Sequence, residues 1–118
     1  MTLRDSQDWQ ILPQEVERLV ADGASFVLID CRKPEEYEAG HLQDARLAPL
    51  QDIDLHLPAL REHIDDLIVV YCRTGRRSTT VTAVLRDQGF ANARSMVGGL
   101  ERWTEEIGSK QRSAETQK

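Results

Sequence analysis

The chain has 118 residues, 40% of them apolar, which is enough for one small domain with a single core and no need of disulfides or metal to hold it. Its formal net charge of −5 excludes a general nucleic-acid or membrane-surface binder, because those need a broad basic face. The longest apolar runs, residues 26–29 and 67–71, are too short to span a bilayer, and the polar first ten residues do not resemble a signal peptide, so a cytoplasmic protein is expected.

Short apolar runs alternate with amphipathic stretches, a pattern that predicts an α/β layered fold with a small, mostly parallel sheet of about five strands. Residues 1–8 form an N-terminal segment, and a first short strand is expected over residues 9–12. Pro13 then opens a helix running to about Asp22, with Val16, Leu19 and Val20 on its buried face and Gly23 as its stop. Residues 26–30 read as the second strand. Residues 34–39 read as a brief helix ended by Gly40, and residues 45–48 as a short strand closed by Pro49. Between Asp52 and Glu62 the apolar positions Ile53, Leu55, Leu57 and Leu60 are irregular, and Pro58 interrupts the helix they suggest.

Residues 67–71 give the clearest strand, rich in β-branched side chains. A helix over residues 78–88 follows, with Ser78 or a neighbouring threonine as cap, Val81, Val84 and Leu85 facing inward, and Gly89 as terminator. A weak strand near residues 94–97 precedes a last helix over residues 99–107. The domain is thus read as residues 9–107, followed by a polar tail, residues 108–118, without apolar periodicity.

The chemistry concentrates in one place. Residues 67–78 put Cys72 at the end of an apolar strand and follow it with Arg73, Thr74, Gly75, Arg76, Arg77 and Ser78, a local charge of +3 in an otherwise acidic chain. A strand that stops at a thiol and turns sharply into a helix makes an anion site, because the N–H groups of the turn and the positive helix end favour a thiolate or a bound oxyanion. The same field lowers a cysteine pKa from near 8.5, and the deprotonated form is the nucleophile. A bland alternative for Cys72 is a small buried residue at a strand end, and at least one of the three arginines is read as solubilising surface charge. Cys31, the second cysteine, stands in no Cys-x-x-Cys pair, and His41, His56 and His63 are not at zinc spacing with either thiol. Both are expected as free thiols in a reducing compartment.

The loop does not stand alone. Residues 27–42 carry Asp30, Arg32, Glu36-Tyr37 and Gly40-His41 at spacings that resemble the first signature of the rhodanese family, and Gly98-Gly99 followed by Trp103 resembles its closing signature. With the cysteine loop these pieces span about residues 9–107. Two positions depart from the family pattern. Cys31 sits where a small aliphatic residue is more common, either as a neutral core swap or as a second thiol able to react with Cys72; Gln43-Asp44 replaces a Pro-Gly and needs only tolerance of a tight turn.

The resemblance implies a three-layer fold with helices on both faces of the sheet. It further implies a thiosulfate sulfurtransferase in which Cys72 takes a sulfane sulfur as a persulfide and passes it to cyanide or a thiol, with a thioredoxin-like or sulfur-carrier protein as a possible cellular acceptor and no cofactor or metal. Arg73, Thr74, Gly75, Arg76, Arg77 and Ser78 would bind the donor, and Asp30 and Arg32 would be a structural pair beside the loop. His41 is read as a hydrogen-bonded packing residue. Two other readings stay open: a cysteine phosphatase or arsenate reductase, weakened because Ser78 stands where a Cys-x5-Arg cradle needs arginine, and a regulatory interaction module, weakened because the cysteine is present.

Overall fold

The computed structural model describes residues 9–108. The N-terminal segment 1–8 and all of the expected tail except Gly108 lie outside the described residues.

Five strands, β1 (Gln10–Ile11), β2 (Val27–Asp30), β3 (Arg46–Leu47), β4 (Ile68–Tyr71) and β5 (Ala93–Met96), form one sheet in the order β1-β5-β4-β2-β3. Every pairing is parallel. β2 and β4 are buried along their whole length, as a sheet covered on both faces requires. Among the described residues five α-helices connect and cover it: α1 (Pro13–Ala21), α2 (Pro34–Ala39), α3 (Ile53–Leu60), α4 (Arg76–Asp87) and α5 (Gly99–Glu106).

Side chains alternate between the two faces of each strand, so the sheet carries two separate apolar clusters. On one face Val27, Ile29 and Cys31 of the β2 line and Ile68, Val70 and Cys72 of the β4 line pack with Ile53, Leu57 and Leu60 of α3 and Val81 and Leu85 of α4. On the other, Leu28, Val69 and Tyr71 meet Ile11, Met96, Val16 of α1 and Trp103 of α5. The two helices on this second face also touch each other.

Several expectations shift. Val20 is 45% exposed, because the buried stripe of α1 runs through Pro13 and Val16 toward Leu19 and leaves Val20 on its far edge. Leu55, 77% exposed, likewise stays outside the core. Pro58 does not stop α3: the helix runs to Leu60 and tightens into a 3₁₀ turn at Arg61–His63. A proline removes one backbone bond, here to the carbonyl of Asp54, and Asp54 lies on the exposed side where water can satisfy it. Asp44 supplies the tight turn before β3, with φ of 68°.

Strand order decides where the site lies. After β2 the chain moves outward to β3, whereas after β4 it moves the opposite way to β5. The carboxyl ends of β2 and β4 therefore border a topological switch point, the crevice at which open α/β sheets bind ligands. Cys31 and Cys72 are the residues that follow those two ends.

Candidate active site

Cys72 leaves β4 at the switch point, and residues 73–75 turn the chain into α4 within three residues. The helix begins at Arg76, two residues before the expected start, and its N-cap is Gly75, with φ of 105°. Neither Ser78 nor a threonine caps it. The sulfur does so instead: Gly75 N–H donates to Cys72 Sγ at 3.1 Å and Ser78 N–H at 3.3 Å. Ser78 is the third residue of the helix, whose free N–H an N-cap side chain ordinarily accepts. A helix start that lacks a hydroxyl or carboxylate cap has its donors aimed at the cysteine.

The Ser78 side chain, fully buried, adds a third contact with its Oγ 3.5 Å from Cys72 Sγ. Its hydroxyl also lies 2.7 Å from Ser95 Oγ on β5. A thiolate has no proton to give, so Ser78 O–H donates to sulfur and Ser95 O–H donates to Ser78, a short relay that ends on the anion. Ser95 was not singled out in the sequence; the only signal for it is a hydroxyl in an otherwise buried strand.

Cys31 is the neighbour on the other side. Asp30 is in register with Tyr71, and Cys31 N–H continues the ladder to the Tyr71 carbonyl at 3.0 Å, which brings Cys31 level with Cys72 on the same face. The thiol of Cys31 donates to the Cys72 sulfur, and with the Ser78 and Gly75 donors this outweighs burial and lowers the Cys72 pKa to about 4. Its own ionisation is driven upward, first by that hydrogen bond and then by burial. One sulfur is thus an anion at neutral pH and the other a protonated thiol.

The loop itself is pinned by α5. Leu100 N–H donates to the Cys72 carbonyl at 2.8 Å and Glu101 N–H to the Arg73 carbonyl at 3.0 Å. Such contact needs a backbone with no side chain between: a Cβ on Gly99 would stand 2.5 Å from Arg73 C and O, and Gly99 has φ of 63°. The glycine pair holds the cysteine turn in place by letting the first turn of α5 lie directly on it.

The three arginines differ. Arg77 is bound to Glu36 of α2 at 2.8 Å, and this contact holds the Glu36 carboxyl down at about 2. Arg73 pairs with Glu101 at 3.1 Å, both ends exposed. Arg76 is exposed and has no partner among the described residues, and Thr74 is exposed beside it. The loop is flanked by a groove of about 720 Å³ that includes Arg73, Glu36 and Leu100, and by one of about 440 Å³ that includes Thr74, Gly75, Arg76 and Ser95.

On the opposite face at the same level, Arg32 meets Asp30 at 2.8 Å, both buried, and Arg32 also donates to the Gly40 carbonyl. Tyr71 O–H donates to Asp30 at 2.9 Å and accepts Leu42 N–H at 3.0 Å. His41 stacks on Tyr37 with centroids 3.7 Å apart, and its Nδ1 lies 2.8 Å from the Tyr37 carbonyl. None of these groups points a free polar atom at Cys72.

A model of the rhodanese-like domain matches residues 12–106, nearly all of the described chain. The chain belongs to the rhodanese-like domain family. Thiosulfate sulfurtransferase GlpE of Ectopseudomonas mendocina is 33% identical over 94 residues, covering 80% of this chain and 83% of that protein. Adenylyltransferase and sulfurtransferase MOCS3-2 of Zea mays is 30% identical over 103 residues, covering 83% of this chain; the chain spans only 21% of that longer relative. The solved structure of the human single-domain sulfurtransferase TSTD1 superposes with a TM-score of 0.75 at 25% identity, covering 83% of this chain and 96% of that one. The rhodanese-like fold is therefore common to both, down to the parallel sheet with helices on each face. Among the described residues no helix is long and apolar enough to cross a membrane.

Proposed function

We propose that this rhodanese-like chain is a cytoplasmic sulfurtransferase that moves a sulfane sulfur from thiosulfate, or a donor of like chemistry, to a thiophilic acceptor through a Cys72 persulfide. One observation carries the reading: a buried sulfur, ionised at neutral pH, at the N-terminus of α4, held by hydrogen-bond donors and with no general base in contact. Thiolate transfer chemistry asks for no base.

In the first step the Cys72 thiolate attacks the outer sulfur of thiosulfate, the S–S bond of the donor breaks, and sulfite leaves with its electron pair. The N–H groups of residues 75 and 78 then meet the anionic sulfur of the persulfide as they met the thiolate. In the second step a cyanide or thiolate acceptor attacks the terminal sulfur, and Cys72 departs. A low pKa weakens a thiolate as a nucleophile but makes it a good leaving group, which favours this second half.

Of the three loop arginines Arg76 has no partner among the described residues, and Arg73 gives up only an exposed bridge, so these two take the donor's sulfonate. Arg77, tied to Glu36, positions the loop, with Thr74 at its rim. Asp30 and Arg32 brace the neighbouring strand end. The acceptor in the cell is a small thiol or a thioredoxin-like or sulfur-carrier protein.

The test is intact-mass measurement after thiosulfate treatment. Wild type gains one sulfur, about 32 Da, which cyanide or dithiothreitol removes, and Cys72→Ser gains nothing. Wild-type protein that stays unmodified under several sulfane donors would overturn the reading.

A further inference from the structure

Cys31 has no part in the two transfer steps, yet it is the side chain placed closest in register to the reacting sulfur. Both cysteines are buried, both belong to one apolar cluster, and they follow paired residues on adjacent parallel strands. Neighbouring strands lie about 4.8 Å apart, inside the roughly 4.4–6.8 Å between Cα atoms that a disulfide spans. Tethered by hydrogen bonds from Cys31 N–H to Tyr71 O at 3.0 Å and from Leu50 N–H to Cys31 O at 3.1 Å, the Cys31 backbone is fixed at that level. The chain contains no third cysteine, so each thiol has only the other as a sulfur partner within the molecule.

We propose that Cys31 is the resolving thiol of Cys72, so that the two cysteines form a reversible redox centre at the switch point, which responds to hydroperoxides.

The step balances as follows. The Cys72 thiolate attacks one oxygen of hydrogen peroxide, the O–O bond breaks, and the departing hydroxide is protonated to water, leaving Cys72 as a sulfenic acid. Cys31 sulfur then attacks Cys72 sulfur, the S–O bond breaks, and the proton of Cys31 leaves with the hydroxyl as a second water. Two thiol sulfurs are oxidised by one electron pair and the peroxide is reduced; a dithiol reductant reopens the bond. While Cys72 is ionised, its hydrogen bond and its charge hold Cys31 protonated; on oxidation these two influences vanish, while burial and Asp30 still oppose ionisation of Cys31 and Arg77 favours it.

The consequence is protective as well as inhibitory. A sulfenic acid with no resolving thiol is oxidised by a second hydrogen peroxide, itself reduced to water, to a sulfinic acid that dithiothreitol does not reverse, whereas a disulfide stops the ladder and silences the nucleophile.

The experiment exposes reduced full-length protein to hydrogen peroxide in several-fold molar excess, blocks remaining thiols by alkylation, and reads intact mass and peptide maps. Wild type is expected to lose two hydrogens, about 2 Da, to show Cys31 and Cys72 peptides joined, and to recover both thiols with dithiothreitol. Cys31→Ala and Cys31→Ser are expected to gain oxygen on Cys72 that dithiothreitol does not remove. A wild type that reaches the sulfinic state as fast as these variants, with Cys31 still open to alkylation after denaturation, overturns the proposal; the wild-type peptide map decides even where a variant folds poorly. Thiosulfate loading is scored on protein never exposed to peroxide, so a failed disulfide and a failed sulfur transfer are distinguishable.

Discussion

At the carboxyl edge of the sheet two buried ionic groups sit one residue apart in register on the neighbouring strands β2 and β4, on opposite faces. On one face Asp30 is closed off by Arg32 and Tyr71; on the other Cys72 is an anion held only by N–H and hydroxyl donors and a neighbouring thiol. The first group has spent its capacity on a fixed counter-charge and serves the architecture. The second is stabilised by dipoles and has no fixed counter-charge, the arrangement on which the proposed sulfur transfer rests. Burying a charge thus has two outcomes, set by whether its partner is an ion or an array of hydrogen-bond donors.

The contrast is broken most severely on the structural face. Asp30→Ala leaves the Arg32 guanidinium buried without its counter-ion, and a loss of about 3–5 kcal/mol in chemical denaturation is expected, with the thiolate of any folded fraction still formed. A Gly99→Ala exchange attacks the reactive face through its support. The added methyl meets the Arg73 backbone at 2.5 Å, and about 2–3 kcal/mol of stability should go together with sulfur loading as the loop shifts.

Arg76→Ala should leave thermal stability unchanged and weaken thiosulfate use by ~1.5–3 kcal/mol, roughly ten- to a hundredfold in kcat/KM, as a lost charge-assisted contact does. Equal kcat/KM in variant and wild type would remove that arginine from donor binding.

The smallest effect sharpens the comparison best. Ultraviolet thiolate absorbance of wild type should titrate with a midpoint near pH 4, and Ser95→Ala, which interrupts the hydroxyl relay, should raise that midpoint by about one unit. Linkage adds a signed stability test. The Cys72 pKa is lowered on folding from 9.0 to about 4, so the ionised sulfur stabilises the fold fully above pH 9 and its contribution fades as pH falls toward 4. Relative to Cys72→Ser, wild type should gain thermal stability as pH rises across that window and gain none below it.

Much of this was legible in the residues. The strand ending at Cys72, the glycine that turns it and the tight turn at Asp44 depend on local backbone preference, which neighbouring residues encode, and the two flanking signatures were legible as a family resemblance. Ser78 reads from the sequence as a helix cap or a donor-binding residue, and in the structure it does not cap. A hydroxyl near a helix start reads as a cap, but here the anion three residues before the N-cap Gly75 does the capping, and the hydroxyl turns inward to the sulfur.

The amino-acid order by itself determined an α/β domain and a kinship, and it singled out Cys72 in a basic turn as the candidate nucleophile. Only the tertiary structure decided that Cys31 stands level with Cys72, that Ser95 reaches the sulfur through Ser78, that Arg77 is taken by Glu36, and that α5 pins the loop through Gly99. Each of these joins residues many positions apart, and their meeting follows from strand order and register, which short-range periodicity does not specify.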